Sequence, residues 1–323
     1  MFYFCKVKIF IVGLKKNMSA ENGSLKAIFF ALGGNLAIAI IKSIVATVTS
    51  STALLAEAIH SFADCSNQIF LLIGNKRSAK RPTEQHPFGF GKEEYFWGFM
   101  VAILLFFVGA VFSIYEGVHK LFNASEINYV YWSFGVIIIS ILIETKSFFI
   151  AKSEFNKKYK GVKLYRALKE STDTNLFVIL MEDFAALLGL TFVLISTLLA
   201  WLFNPIFDAI GSIFVGLLLA SVSIFLSNEL RKLIIGENIT RDLRNKLKTK
   251  VAENPIINHV NNINAMVIGR SRYLLIVSVD IENNVLAGEV EVQLNEIRND
   301  LIAISPEILF VYIDVRNTNR STC

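Results

Sequence analysis

At 323 residues the chain has room for two ordinary domains, but its composition constrains it more than its length does. Hydrophobic residues make up 54% and charged residues only 18%, and the apolar excess is concentrated between residues 27 and 228. Repeated runs of about 20 apolar residues cannot be buried in one modest water-soluble core. A soluble enzyme is therefore excluded, and the sequence predicts a polytopic α-helical membrane protein with a soluble C-terminal tail.

The formal net charge of +5 does not call for a nucleic-acid partner, because the basic residues sort into particular loops, as membrane proteins require. Cys5, Cys65 and Cys323 are scattered and form neither a disulfide framework nor a zinc-ribbon spacing. Residues 1–17 (MFYFCKVKIFIVGLKKN) carry four lysines and no small-residue cleavage site, so they make a poor secretory signal. They read as a mobile basic tail or as the product of an upstream start, with Met18 opening a more ordinary one.

Six spans are expected at about 25–48, 53–75, 94–118, 128–150, 174–203 and 206–228. The first two are joined by the short uncharged Thr49-Ser50-Ser51-Thr52, and the last two by the turn Phe203-Asn204-Pro205. The loop after span 3 holds only His119, Lys120 and Glu126. Between spans 2 and 3 lie Lys76, Arg77, Lys80, Arg81 and Lys92; the loop after span 4 is richer still, from Lys152 to Lys169. The positive-inside bias then puts both basic loops and both termini in the cytoplasm or its organellar equivalent. The expected domains are a cytoplasmic segment at 1–24, a six-helix transmembrane domain at 25–228 and a cytoplasmic domain at 229–323.

The tail has its own pattern. Residues 240–253 and 286–302 read as amphipathic helices, while 260–270, 273–283 and 308–315 are strand-like. Helix, two strands, helix, strand suits a small α/β sandwich with one sheet face covered.

Ionisable groups at bilayer depth cost about 2.5–3.5 kcal/mol each on insertion scales and point to function by default. In span 2, Glu57, His60 and Asp64 follow one another at three and four residues and share a helical stripe. A histidine and a carboxylate one turn apart can bind a single ion, and neutral imidazole with carboxylate suits zinc and its first-row neighbours. Span 5 carries the adjacent acids Glu182 and Asp183 among leucines and valines. A buried structural network, or helix ends displaced by a turn, would give the same pattern. Lys42 and Lys146 are expected to snorkel or to pair with acids. Glu116 and Asp208 are expected near water at helix ends, Glu144 deeper as a relay acid, His119 at the interface and His259 on the surface.

These residues carry a resemblance. The run from Ser51 to Asp64, STALLAEAIHSFAD, resembles the second-span signature of the cation diffusion facilitators, and His86-Pro87-Phe88-Gly89-Phe90-Gly91-Lys92-Glu93 resembles that family's cytoplasmic motif. Glu182-Asp183 followed by Ala185-Ala186-Leu187-Leu188-Gly189 is similar to the zinc-transporter-9-type branch. The resemblance implies export of zinc or a related dication (manganese, iron, cobalt and cadmium stay open) from the cytoplasm in exchange for protons. It implies a homodimer with ferredoxin-like C-terminal domains, in a bacterial inner membrane or an organelle, with no catalytic residues and no bound cofactor beyond the transported ion.

By the same resemblance the transport site takes two ligands from span 2 and two from span 5. His60 and Asp64 fill the first pair, and Asp183 the second member of the other. Its first member, usually histidine, is Ile179 here; Glu182 can substitute, although it projects about 100° from Asp183 on an ideal helix. Of the loop metal site found in some relatives only His86 remains, with Thr83 and Phe90 at the other positions. Lys92 matches a basic position near the dimer hinge and is expected to pair with Glu229 or Glu237. A non-transporting membrane regulator would also explain depleted sites. An intramembrane hydrolase fits worst, because neither His-Glu-x-x-His nor Gly-x-Ser-x-Gly occurs.

Overall fold

The computed structural model describes residues 32, 33, 35–122, 130–158, 174–269 and 272–317. The basic segment 1–17, the start of the first expected span, Glu126, the lysines from Lys160 to Lys169, Cys5 and Cys323 lie outside the described residues. The helices in chain order are α1 (Asn35–Thr49), α2 (Thr52–Ser78), α3 (Glu93–Phe122), α4 (Val130–Lys158), α5 (Thr174–Leu202) and α6 (Ile206–Ile235). The tail follows with α7 (Arg241–Ala252), β1 (Ile257–Gly269), β2 (Arg272–Ile281), α8 (Ala287–Ile304) and β3 (Ile308–Val315).

Among the described residues four helices are long and apolar enough to cross a membrane: α3, α4, α5 and α6. Their outward faces carry Phe107, Trp132 and Leu142 at 63%, 66% and 66% exposure, a surface suited to hydrocarbon and not to water. Helix α1 is apolar but shorter, and α2 has the length without the apolarity, because its middle carries Glu57, His60, Asp64, Asn67 and Gln68.

The described residues fall into two units. One holds residues up to Ile69, Ile103–Ile150 and Met181–Ser223; the other holds Phe70–Ala102, Ala151–Leu180 and the chain from Ile224 onward. In the first, α3 and α6 approach closely over small residues. A Cβ on Gly117 would lie 2.9 Å from the carbonyl oxygen of Ala209, and one on Gly216 2.9 Å from that of Ala110. The Ser212 hydroxyl donates to the Ser113 carbonyl at 2.8 Å across the same seam. Within α3 the stretch Leu105–Val111 widens to a π-helix, which carries Gly109 and Ala110 into this contact.

A second feature fixes the start of α2. Asp208, at the start of α6, accepts from Ser51 Oγ at 2.6 Å, from the Thr52 amide at 2.7 Å and from Thr52 Oγ1 at 2.9 Å. It thereby caps the N-terminus of another helix, where exposed amides and the helix dipole both favour an anion. Lys120 of α3 completes the charge balance, with its Nζ 3.0 Å from Asp208 Oδ2 and 2.5 Å from the Ser50 carbonyl. Ser50 itself is the turn residue, with φ of +57°. This corrects two expectations. Lys120 is not a loop residue and Asp208 is not water-accessible: they are 3% and 0% exposed, because α3 runs a turn farther than hydropathy suggests and the two charges neutralise each other.

In the second unit the tail builds a sheet of order β1-β2-β3, with β1 and β2 antiparallel and β2 and β3 parallel. The parallel pair needs a crossover, and α8 supplies it. Val260, Ile263 and Val267 of β1 and the alternate residues Leu275, Val277 and Val279 of β2 share a buried core with Leu247 and Val251 of α7 and Ile297 and Leu301 of α8. Tyr95 of α3 and Leu233 of α6 belong to that same core. The glycine motif packs on the end of β1: a Cβ on Gly91 would lie 2.7 Å from the Cα of Gly269 and against the Ile268 carbonyl. Backbone cannot yield as a side chain can, so Gly91→Ala is expected to destabilise the protein by about 1–3 kcal/mol. A lower unfolding midpoint in detergent checks this; an unchanged midpoint would show that the motif does not pack there.

Of the two acids expected to pair with Lys92, Glu229 is engaged elsewhere. The Lys92 Nζ donates to the Ile234 carbonyl at 3.1 Å, while Glu229 bonds Lys232 at 2.6 Å. The reason is local: Glu229 and Lys232 are three residues apart on one helix face.

Candidate metal centre

Spacing builds most of the site on one helix. Glu57, His60, Asp64 and Asn67 of α2 recur at three, four and three residues, so they share a stripe. All four are buried, at 0%, 1%, 9% and 0% exposure. Side chains of this kind are retained at such depth only where partners or function offset the lost hydration.

His60 Nδ1 lies 3.5 Å from Asp64 Oδ1. Neither ring nitrogen of His60 has a hydrogen bond among the described residues, and neither does Asp64 Oδ1. Two unbonded imidazole nitrogens beside a carboxylate oxygen form a donor set that a borderline dication accepts. From α5, Glu182 reaches the stripe. Asn67 Nδ2 donates to Glu182 Oε1 at 2.5 Å, and the carboxyl groups of Asp64 and Glu182 face each other closely enough to interact electrostatically.

Asp183 turns elsewhere. It is half-buried and accepts from Ser147 Oγ of α4 at 2.9 Å. Glu144 stands one turn before Ser147, within electrostatic range of Asp64, Glu182 and Asp183. With Ser61, Asp64, Asn35 and Ile38 it lines a small cleft. Glu57 is held by Lys42, whose Nζ lies 3.3 Å from its Oε2, in keeping with the expected pairing of Lys42 with an acid. The structure thus sets His60 beside Asp64 and Asp64 beside Glu182, and it turns Asp183 toward α4. Among the described residues no three His, Cys, Asp or Glu side chains converge closely enough to cage one ion. In the loop motif, the His86 ring packs against Phe90 with centroids 4.4 Å apart and planes tilted by 33°.

Two residues of the site were not singled out from sequence. Asn67 carried a signal, since it lies seven residues after His60 and so returns to the same face. Ser147 carried a weaker one, three residues after Glu144.

Residues 28–235 match the cation efflux transmembrane domain. The chain belongs to the cation efflux family. Its relatives include the mitochondrial proton-coupled zinc antiporter SLC30A9 of Xenopus laevis, 30% identical over 90% of this chain and 54% of that protein. The human protein of the same name is 30% identical over 74% of this chain and 42% of its own length. Metal tolerance protein C4 of Arabidopsis thaliana is 29% identical over 82% of this chain and 59% of that protein. The chain thus spans about half the length of the curated relatives it matches. Within the cation diffusion facilitators, its similarity is to the zinc-transporter-9-type branch.

Proposed function

We propose that this protein is a secondary active transporter that exports a divalent metal, zinc first, from the cytoplasm in exchange for protons. The observation that carries the reading is the buried juxtaposition of His60, Asp64 and Glu182 across two helices of a cation efflux protein. The names of the relatives, which include proton-coupled zinc antiporters, support the ion and the coupling. No observation favours a non-transporting regulator over this reading.

The chemistry follows from the donors. A dication bound by one imidazole nitrogen and two carboxylates is close to neutral, which suits a low-dielectric interior. Binding requires deprotonated ligands, so metal and protons compete for His60, Asp64 and Glu182, and protons arriving from the other side displace the metal. Asp183, with Ser147 and Glu144, stands beside this centre as a fourth ligand or as a proton acceptor on the way out. A set with this much oxygen also admits manganese or iron.

The architecture proposed with it has six spans, α1 and α2 completing the four long apolar helices, and both termini cytoplasmic. The tail, residues 229–323, is proposed as a shortened ferredoxin-like domain that joins two protomers into a homodimer. The test of the function is flux into proteoliposomes across a panel of zinc, manganese, iron, cobalt and cadmium ions. Zinc flux above that of protein-free vesicles supports the reading, and no flux for any ion sinks it. Glu182→Gln is expected to raise the zinc KM about 10–100-fold, and Asp183→Asn less, since Glu182 is the acid in contact with Asp64. An unchanged KM for Glu182→Gln would remove it from the ligand set.

A further inference from the structure

Lys42 is 1% exposed, and its Nζ lies 3.3 Å from Glu57 Oε2 and 2.9 Å from Ser61 Oγ. A buried ammonium amid apolar helices is rare unless it has a task. The other side of Glu57 is equally constrained. Its Oε1 has no hydrogen bond among the described residues and sits over Gly189 of α5, where a Cβ would lie 2.6 Å from it. Glu57 is therefore held between an ammonium on α1 and a bare glycine backbone on α5.

Position makes this consequential. Glu57 and Asp64 flank His60 on one stripe, at three residues before and four after, so spacing alone makes both of them candidate ligands for an ion at His60. Lysine offers donors only and cannot ligate a metal. We propose that Lys42 is a positioning residue: a fixed countercharge that keeps Glu57 out of the metal's ligand set. The ion is then held by His60, Asp64 and the α5 acid alone, and is released easily enough for turnover. This rests on the metal-transport reading above. Without Lys42, Glu57 becomes a free carboxylate one turn from His60, and it adds both charge and a ligand to the site. Tighter ground-state binding does not speed transport; it slows release.

The test uses full-length protein, zinc alone as the ligand, titration calorimetry in detergent and zinc flux in proteoliposomes. Lys42→Met is expected to lower the zinc Kd and KM about tenfold and to lower the maximal rate by a similar factor. A merely structural lesion would not lower KM and rate together. Lys42→Arg, which keeps the charge, should stay near wild type. The double variant Lys42→Met with Glu57→Gln removes a neutral pair at nearly constant volume, and it is decisive even where Lys42→Met alone fails to fold. Its zinc affinity should return to within about threefold of wild type, since no ligand has been lost. Weaker zinc binding by folded Lys42→Met, or a tenfold or greater loss in the double variant, would overturn the proposal, the latter by showing that Glu57 coordinates the ion. Failure of the wild type to bind or move any ion would overturn the transport reading, and the proposal with it.

Discussion

Alanine at His60 or at Asp64 is expected to bring metal flux in proteoliposomes down to the level of protein-free vesicles. Each substitution removes one of two donors that a single helix turn presents together, 3.5 Å apart and buried. Neither loss can be made good by a neighbour. Lys42 holds Glu57, and Asp183 is bonded to Ser147 of α4. Asp64→Ala also strips Glu182 of its carboxyl partner, leaving that acid with Asn67. Both variants should still insert and elute as the wild type does from size-exclusion chromatography, because removing an unbonded imidazole or one carboxyl of a shared pair does not expose hydrocarbon-facing backbone. Near-normal flux in both would sink the assignment of the site.

Asp208→Ala is expected to be the most destabilising single change, by about 3–5 kcal/mol. It leaves the Lys120 ammonium buried without its carboxylate, and it strips the Ser51 hydroxyl and the Thr52 amide and hydroxyl of their acceptor. The damage falls on the first turn of α2, the helix that carries His60 and Asp64. The unfolding midpoint in detergent should drop sharply, and adding Lys120→Met to Asp208→Ala should recover part of the loss by removing the stranded charge. Midpoints unchanged in Asp208→Ala would contradict the capping geometry.

Periodicity made most of this fold legible. Apolar runs located the helices from α2 to α6 within a turn or so of their observed ends, apart from the longer C-terminal ends of α4 and α6, and the alternation in RYLLIVSVDIE marked β2. Strand order was not legible, since nothing in the strands themselves says that β2 is central; that depends on the crossover through α8. At the site, the α2 stripe was legible because three- and four-residue spacing fixes a helical face. Contacts between helices were not. Spacing could not say that Glu182, and not its neighbour Asp183, meets Asp64, because the rotation of α5 is set by packing. Lys120 and Asp208 were misread for a related reason: each looks like a water-facing helix end until the other is known to lie 3.0 Å away.

Exchange at the His60–Asp64–Glu182 centre is tested most directly by recording proton movement and zinc movement in the same vesicles. Proteoliposomes carrying a trapped pH indicator are given zinc on one side with no imposed proton gradient. The expected result is proton counterflow that starts with zinc entry, scales with it, and is absent from Asp64→Ala vesicles. Zinc entry that leaves the internal pH unchanged, or that ignores an imposed gradient, would contradict exchange and leave a channel-like path in its place.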